Sequence, residues 1–252
     1  MNHDRLLDLL EDAADAVVGA LEQVDDWGLV ADGAHDGQHV SDVAADAAAL
    51  AVLDAAGVGV LSEESGLHRP GAEVMVVIDP LDGSTNASRG IPWYATSLCA
   101  VDGDGPVAAV VVNLVSHDRF VATRGGGARR NGEPIHPRAT TQLGDALIGL
   151  TGYPPRHLGW QQFRALGAIA LDLCAVAAGL LDGCVDCVVD AHGSWDYLGG
   201  MLVCQEAGAV VAEAWDRELV AIDHGARRTP VAAATRELLT GLIEARRSFG
   251  AP

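Results

Sequence analysis

Asp79 and Asp82 bracket the turn Asp79-Pro80-Leu81-Asp82-Gly83, directly after the apolar run Val74-Met75-Val76-Val77-Ile78. Pro80 fixes one φ angle and Gly83 permits unusual ones, so two carboxylates this close in a tight turn can converge on one point. The Leu81 carbonyl can join them as a neutral oxygen. An oxygen-only donor set suits a hard divalent cation such as Mg²⁺, held by a few carboxylates together with waters and substrate phosphate. Gly83-Ser84-Thr85-Asn86 would then expose backbone N–H groups at a helix start, where hydrogen bonds and the helix dipole favour phosphate oxygens. Glu63 and Glu64 repeat the arrangement after Val58-Gly59-Val60-Leu61, and Asp196 stands in Gly193-Ser194-Trp195-Asp196 at the predicted start of another helix. For the turn alone, a solvated surface loop is the competing reading. It weakens because Asp79 ends a strongly apolar strand and Glu63-Glu64 does the same.

The elements that must position these acids follow from pattern. Leu6, Leu10, Ala13, Val17 and Leu21 have helical spacing, and a second helix is predicted over 41–56, with Ser41 or Asp42 as N-cap and Gly57 ending it. Strands are predicted at 58–61, 74–78, 94–101, 106–115 and 118–123, with Gly125-Gly126-Gly127 as a turn rather than a phosphate cradle. From about residue 144 the pattern alternates: strand 146–150, helices near 158–182, strand 184–190, helix 194–207, strands 209–214 and 230–235, and a last helix from Arg236. Strands alternating with helices imply an α+β or α/β architecture, its sheets covered by helices. Two halves are expected, an N-terminal α+β half over 1–140 carrying most of the acids and a C-terminal α/β half over 141–252, packed as one unit.

Bulk composition narrows the function. The chain has 252 residues, 49% of them hydrophobic, and a formal net charge of −19. That charge repels polyanions, so neither a nucleic acid nor an anionic membrane is an expected partner. All 16 basic residues are arginine, which excludes a catalytic lysine. No apolar run is long enough to span a bilayer and no signal peptide is seen, so a reducing, cytoplasmic setting is expected. Cys184-Val185-Asp186-Cys187 has no second pair to complete a zinc site. Buried free thiols are therefore expected.

Taken in order, these motifs resemble the inositol monophosphatase family of metal-dependent, lithium-sensitive phosphatases. Leu61-Ser62-Glu63-Glu64-Ser65 is similar to its Gly-Glu-Glu segment, and Asp79 to Asn86 matches its Asp-Pro-hydrophobic-Asp-Gly-Ser/Thr-Thr-Asn signature. Gly167-Ala168-Ile169-Ala170-Leu171-Asp172-Leu173 is similar to its Gly-Ser-Ala-Ala-Leu-Asp-Leu segment. Trp195-Asp196 with Glu206-Ala207-Gly208 is similar to its Trp-Asp motif and the Glu-Ala-Gly that follows. The resemblance spans nearly the whole chain and implies a layered α-β-α-β-α sandwich of the sugar-phosphatase type.

It also implies roles. Glu63, Asp79 and the Leu81 carbonyl would bind one metal, and Asp79, Asp82 and Asp196 a second. Glu63 would share a third, giving two or three Mg²⁺ per site. Asp46, with Asp42 as its rival, would orient or deprotonate the attacking water together with Ser84. Gly83, Ser84 and Thr85 would hold the phosphate, with Asp196 beside the substrate. The substrate would be a small phosphate monoester, inositol monophosphate first. Fructose 1,6-bisphosphate, histidinol phosphate and a 3′-phosphonucleotide are the alternatives, and a homodimer is expected. A catalytically silent metal-binding regulator is the competing class. The chain departs from the family pattern where its lysine would fall, near His35, at Ala87 in place of phenylalanine, and at Val189 in place of an inositol-contacting acid. None of these is an implied metal ligand.

Magnitudes also require metal. Enzymatic acceleration of monoester hydrolysis reaches about 10²¹-fold. One positioned acid or base supplies only about 10²–10⁴. Each pair of like charges at ~4 Å costs ~4 kcal/mol at an effective dielectric near 20, so four bare carboxylates would repel a phosphate.

Overall fold

The computed structural model describes residues 2–25, 27–29 and 38–250; His35 lies outside them. The chain begins with helices α1 (His3–Leu21) and α2 (Val40–Ala56). There follow β1 (Gly59–Ser62), β2 (Gly66–His68), β3 (Met75–Asp82), the short helix α3 (Ser84–Ser88), β4 (Ala95–Asp102), β5 (Gly105–Asn113), β6 (Arg119–Thr123), β7 (Gly127–Arg130) and β8 (Glu133–Pro134). The remainder comprises β9 (Leu147–Thr151), β10 (Gln162–Arg164), α4 (Ile169–Ala177), β11 (Gly183–Asp186), α5 (Ser194–Ala207), β12 (Val210–Glu213), β13 (Pro230–Ala233) and α6 (Arg236–Arg247).

One sheet has eight strands in the order β2-β1-β3-β4-β5-β6-β7-β8, antiparallel except for β1 with β3. The other has five, in the order β10-β9-β11-β13-β12. Side chains alternate across the pleat. Val76, Ile78, Leu98, Val110 and Val112 therefore pack with Leu6, Leu10 and Val17 of α1 and Ala45, Ala49 and Leu53 of α2. Their neighbours Val77, Cys99 and Val111 pack with α4 and α5. On the far face of the second sheet, Ile148, Val185, Val231 and Ala233 meet Leu238 and Leu242 of α6. The layers thus run α1/α2, sheet, α4/α5, sheet, α6, the α-β-α-β-α sandwich expected. The middle layer is thin because it is built on small residues. A Cβ at Gly199 would fall 2.6 Å from Ser97 Oγ, and one at Gly200 would fall 2.6 Å from Leu173 Cβ.

Three local expectations change. The N-cap of α2 is His39, and Asp42 is the acid that accepts the His39 N–H at 3.0 Å. Helix over 158–168 is replaced by loop and the edge strand β10. Gly159 (φ 104) and Gly167 (φ 90) adopt left-handed backbone that a helix cannot continue through. Strand β11 stops at Asp186 because that side chain turns back to accept the Val188 N–H at 2.8 Å. The glycine turn at 125–127 joins β6 to β7 as predicted. Its Gly125 and Gly127 N–H groups donate to the Glu206 carboxylate at 2.9 and 3.0 Å, so the end of α5 anchors the hairpin. All five cysteines are free. Among the described residues no helix is long and apolar enough to cross a membrane.

Candidate metal centre

Strand register brings the acids together. β1 and β3 run parallel with Ser62 opposite Ile78, and the Glu63 N–H bonds the Ile78 carbonyl at 3.1 Å, so Glu63 stands beside Asp79. The pairing of β3 with β4 shifts between Asp79 and Asp82, at Pro80, which has no N–H to offer the ladder. Asp79 Oδ1 accepts the Leu81 N–H at 2.9 Å across that irregularity. Past it, Asp82 turns toward the middle layer and its Oδ2 accepts the Ala170 N–H of α4 at 2.7 Å. Asp196 sits in the first turn of α5 and accepts the Gly193 N–H at 2.7 Å. A carboxylate there also gains from the helix dipole. Carboxylate oxygens of Glu63, Asp79 and Asp196 lie within 4.8 Å of one another.

Burial and mutual repulsion raise the carboxyls of this cluster. Burial, then the Asp196 and Glu64 charges, push the Glu63 carboxyl up to about 8. Burial and then Glu63, Asp82 and Asp196 hold Asp79 well above the usual carboxylate range. Asp82 is likewise raised by burial and by Asp196. Burial lifts Asp196 to about 6, while His192, the Gly193 N–H and Arg227 pull against it. Buried carboxylates of this kind ionise together when a divalent ion supplies the countercharge.

The other predicted residues fall around this cluster. Leu81 is buried, and Gly83 adopts φ 87 where a Cβ would lie 3.2 Å from Ala168, Gly167 and Trp93 atoms, so the turn demands glycine. Ser84 and Thr85 open α3, half-buried and exposed respectively, with the N–H groups of its first turn lacking partners within the helix. Asp46 is buried and accepts the Ser62 hydroxyl at 2.5 Å. Asp42 is different. Its Oδ2 accepts the His39 N–H, its Oδ1 is buried with no hydrogen-bond partner among the described residues, and its charge acts on both Glu63 and Glu64.

Several supporting residues hold the acids in place. Asn86 Nδ2 donates to the Trp93 and Leu166 carbonyls at 2.8 and 2.7 Å, pinning the turn to the segment before α4. Asp172 accepts from Trp93 Nε1 at 3.0 Å, and burial raises it to about 7. His192 Nδ1 faces Asp186 Oδ2 at 2.8 Å, and Asp190 pairs with Arg217 at 2.7 Å. Asp186 is therefore buried with both oxygens engaged, while Asp190 engages Arg217 through one oxygen. Asn86 and Asp172 lay inside motifs. Asp172 is also the sole acid of an otherwise apolar helix.

A layered sandwich that gathers carboxylates at strand ends and a helix start defines a metal-dependent phosphoric monoester hydrolase. The chain belongs to the inositol monophosphatase family, whose profile matches residues 7–251. It is similar to a fructose-1,6-bisphosphatase/inositol-1-monophosphatase of Thermococcus kodakarensis, 37% identical over 75% of each chain. It is also similar to the Nus factor SuhB of Escherichia coli, 34% identical over 61% of this chain and 62% of that one. Among solved structures, a Pyrococcus horikoshii protein described as having similarities to inositol-1 monophosphatase superimposes with a TM-score of 0.82. It is 26% identical and covers 96% of both chains.

Proposed function

We propose that the chain is a Mg²⁺-dependent phosphatase of small phosphate monoesters that uses activated water, with no phosphorylated enzyme residue. The observation that carries this reading is the convergence of Glu63, Asp79 and Asp196 from three separate elements onto one point. Glu63, Asp79 and the Leu81 carbonyl would hold one ion, Asp79, Asp82 and Asp196 another, and Glu63 would share a third. Mg²⁺ held by these residues would supply countercharge to the acids and Lewis acidity toward the ester and water.

The chain's own residues do the rest. Gly83, Ser84 and Thr85 present N–H groups and a hydroxyl to the phosphate oxygens. Asp42 takes the water-orienting role with Ser84 in preference to Asp46, because its Oδ1, unlike either oxygen of Asp46, is buried with no hydrogen-bond partner among the described residues. Inositol monophosphate and fructose 1,6-bisphosphate are the first substrates to test, followed by histidinol phosphate and a 3′-phosphonucleotide. A cytoplasmic, lithium-sensitive homodimer completes the reading. The exposed edge strand β10, with Phe163 on it, supports contact with a second copy.

The test is phosphate release from this panel with and without Mg²⁺, for the parent and for Asp79→Asn and Asp196→Asn. Mg²⁺-dependent release that falls to below about a tenth in each variant is expected, since one lost charge contact of this kind is worth a few kcal/mol. A parent that binds Mg²⁺ but releases phosphate from nothing would be a silent metal-binding regulator instead.

A further inference from the structure

The segment joining β12 to β13 reaches the acidic cluster at three points. His224 Nε2 lies 2.9 Å from the Glu63 carbonyl oxygen, and its ring lies 4.9 Å from the Trp195 indole at 32°. The Arg227 guanidinium stacks over that same indole, 5.0 Å from the ring centre. The Arg228 N–H bonds the His192 carbonyl at 2.8 Å. Trp195 can fold into this position because Gly193 has no side chain; a Cβ there would fall 2.4 Å from the indole carbons. Trp195 immediately precedes Asp196, so the stack is built on the metal centre itself.

Arg227 is set in place. Its Nη1 donates to the carbonyls of His224 and Ala226 at 2.8 and 2.9 Å. Among the described residues its Nε and Nη2 have no protein acceptor, and no carboxylate forms an ion pair with it. Yet its charge is felt at Asp196, which it pulls down against burial. In a chain of net charge −19 without lysine, a half-buried, unpaired cation beside the acids is conspicuous. Once divalent ions neutralise the acids, that cation has no partner left in the protein. Of the acids on that side, Asp186 is fully buried and holds His192, and Asp190 gives one oxygen to Arg217. A fixed guanidinium with N–H groups to spare favours an anion over a neutral hydroxyl.

We propose that Arg227, stacked on Trp195, is a specificity-determining contact for a second anionic group on the leaving alcohol, so that the site prefers sugar bisphosphates to monoesters of neutral polyols. This rests on the phosphatase reading above.

The experiment measures kcat and KM for fructose 1,6-bisphosphate and myo-inositol 1-phosphate with Mg²⁺, in the parent, Arg227→Gln, Arg227→Lys and Arg228→Gln. Loss of a charge-assisted contact predicts that Arg227→Gln raises KM for the bisphosphate by about tenfold or more. It also predicts that the bisphosphate-to-monoester ratio of kcat/KM falls by about the same factor. Arg227→Lys, which keeps the charge, recovers part of the ratio, and Arg228→Gln, an equal change of net charge, leaves it in place. An unchanged ratio in Arg227→Gln overturns the inference, as does an equal fall in Arg228→Gln or a loss confined to kcat. If Arg227→Gln folds poorly, Arg227→Met, which keeps the length of the side chain over Trp195 without the charge, decides: a ratio equal to the parent's means charge is not what is read. A parent active on both substrates with an indifferent Arg227 removes this inference alone; a parent active on neither removes the phosphatase reading with it.

Discussion

Asp82 Oδ2 accepts the Ala170 N–H at 2.7 Å, so an acid at the end of a strand in one sheet caps the first turn of α4 in the middle layer. The helix has no cap of its own, since its N-cap residue is Ala168. Asp82 therefore serves the fold as well as the proposed metal site, and the two roles separate by substitution. Asparagine keeps an oxygen for the cap but loses the charge, whereas alanine loses both. Both variants should lose Mg²⁺-dependent phosphate release. In chelator, Asp82→Ala should melt below Asp82→Asn by the worth of a cap, about 1 kcal/mol or roughly 2–4 °C. Equal melting temperatures would show that the cap contributes nothing.

The raised carboxyls fix a sign for stability against pH. Glu63 titrates near 8 and Asp196 near 6 in the folded chain, with Asp79 and Asp82 raised as well, against ordinary carboxylate values once unfolded. The folded state then binds more protons than the unfolded state over this window, so stability falls as pH rises from about 4.5 to about 8. If Mg²⁺ binds at the proposed site it takes the ionised acids, so its stabilising effect should grow over the same interval. Melting curves in EDTA and in Mg²⁺ from pH 5 to 8 check both trends. A metal increment that stays constant with pH would mean these acids are not the ligands.

Much of this was legible because local rules and global fold agree. The run ending at Asp79, the glycine after Asp82 and the helix start at Ser194 each obey simple geometry, and the layers follow from alternating apolar runs. What stayed hidden depends on tertiary contact. The helical pattern over 158–168 failed at Gly159 and Gly167, whose backbone is left-handed. The choice between Asp42 and Asp46 turned on Ser62, sixteen residues along from Asp46. Arg227 meets Trp195 only because two sheets pack across α5, and nothing near either residue announces it.

The two helix α2 acids can now be told apart by kinetics. If Asp42 orients the attacking water, Asp42→Asn should lower kcat by about 10²-fold or more, with KM and melting temperature nearly unchanged. Asp46→Asn keeps an oxygen to accept the Ser62 hydroxyl, so it should retain at least about a third of the activity, as expected of a group that acts through packing. The reverse ranking would return the role to Asp46.

Arg246 offers the last test, and it lies away from the acids. Its side chain is fully buried, without a carboxylate partner among the described residues. The Nε donates to the Asp186 carbonyl at 2.6 Å, Nη1 to Phe249 and Gly250 at 2.8 and 3.0 Å, and Nη2 to Val188 at 3.4 Å. The rings of Trp215 and Phe249 lie 5.6 and 4.8 Å from the guanidinium. Main-chain oxygens and aromatic faces thus replace the missing counterion. Arg246→Met keeps the length of the side chain but leaves those carbonyls without their donor, at about 1–3 kcal/mol for each that water cannot reach. A total near 3 kcal/mol lowers the melting temperature by roughly 6–12 °C. Arg246→Lys should recover less than half of this, because a single ammonium cannot span carbonyls spread over two segments. The guanidinium also fixes the end of β11, where Asp186 holds His192 and His192 pairs with Arg228. The methionine variant, assayed well below its melting temperature, should therefore raise KM more than it lowers kcat. A variant that melts with the parent would mean the carbonyls find other donors and the cation is dispensable.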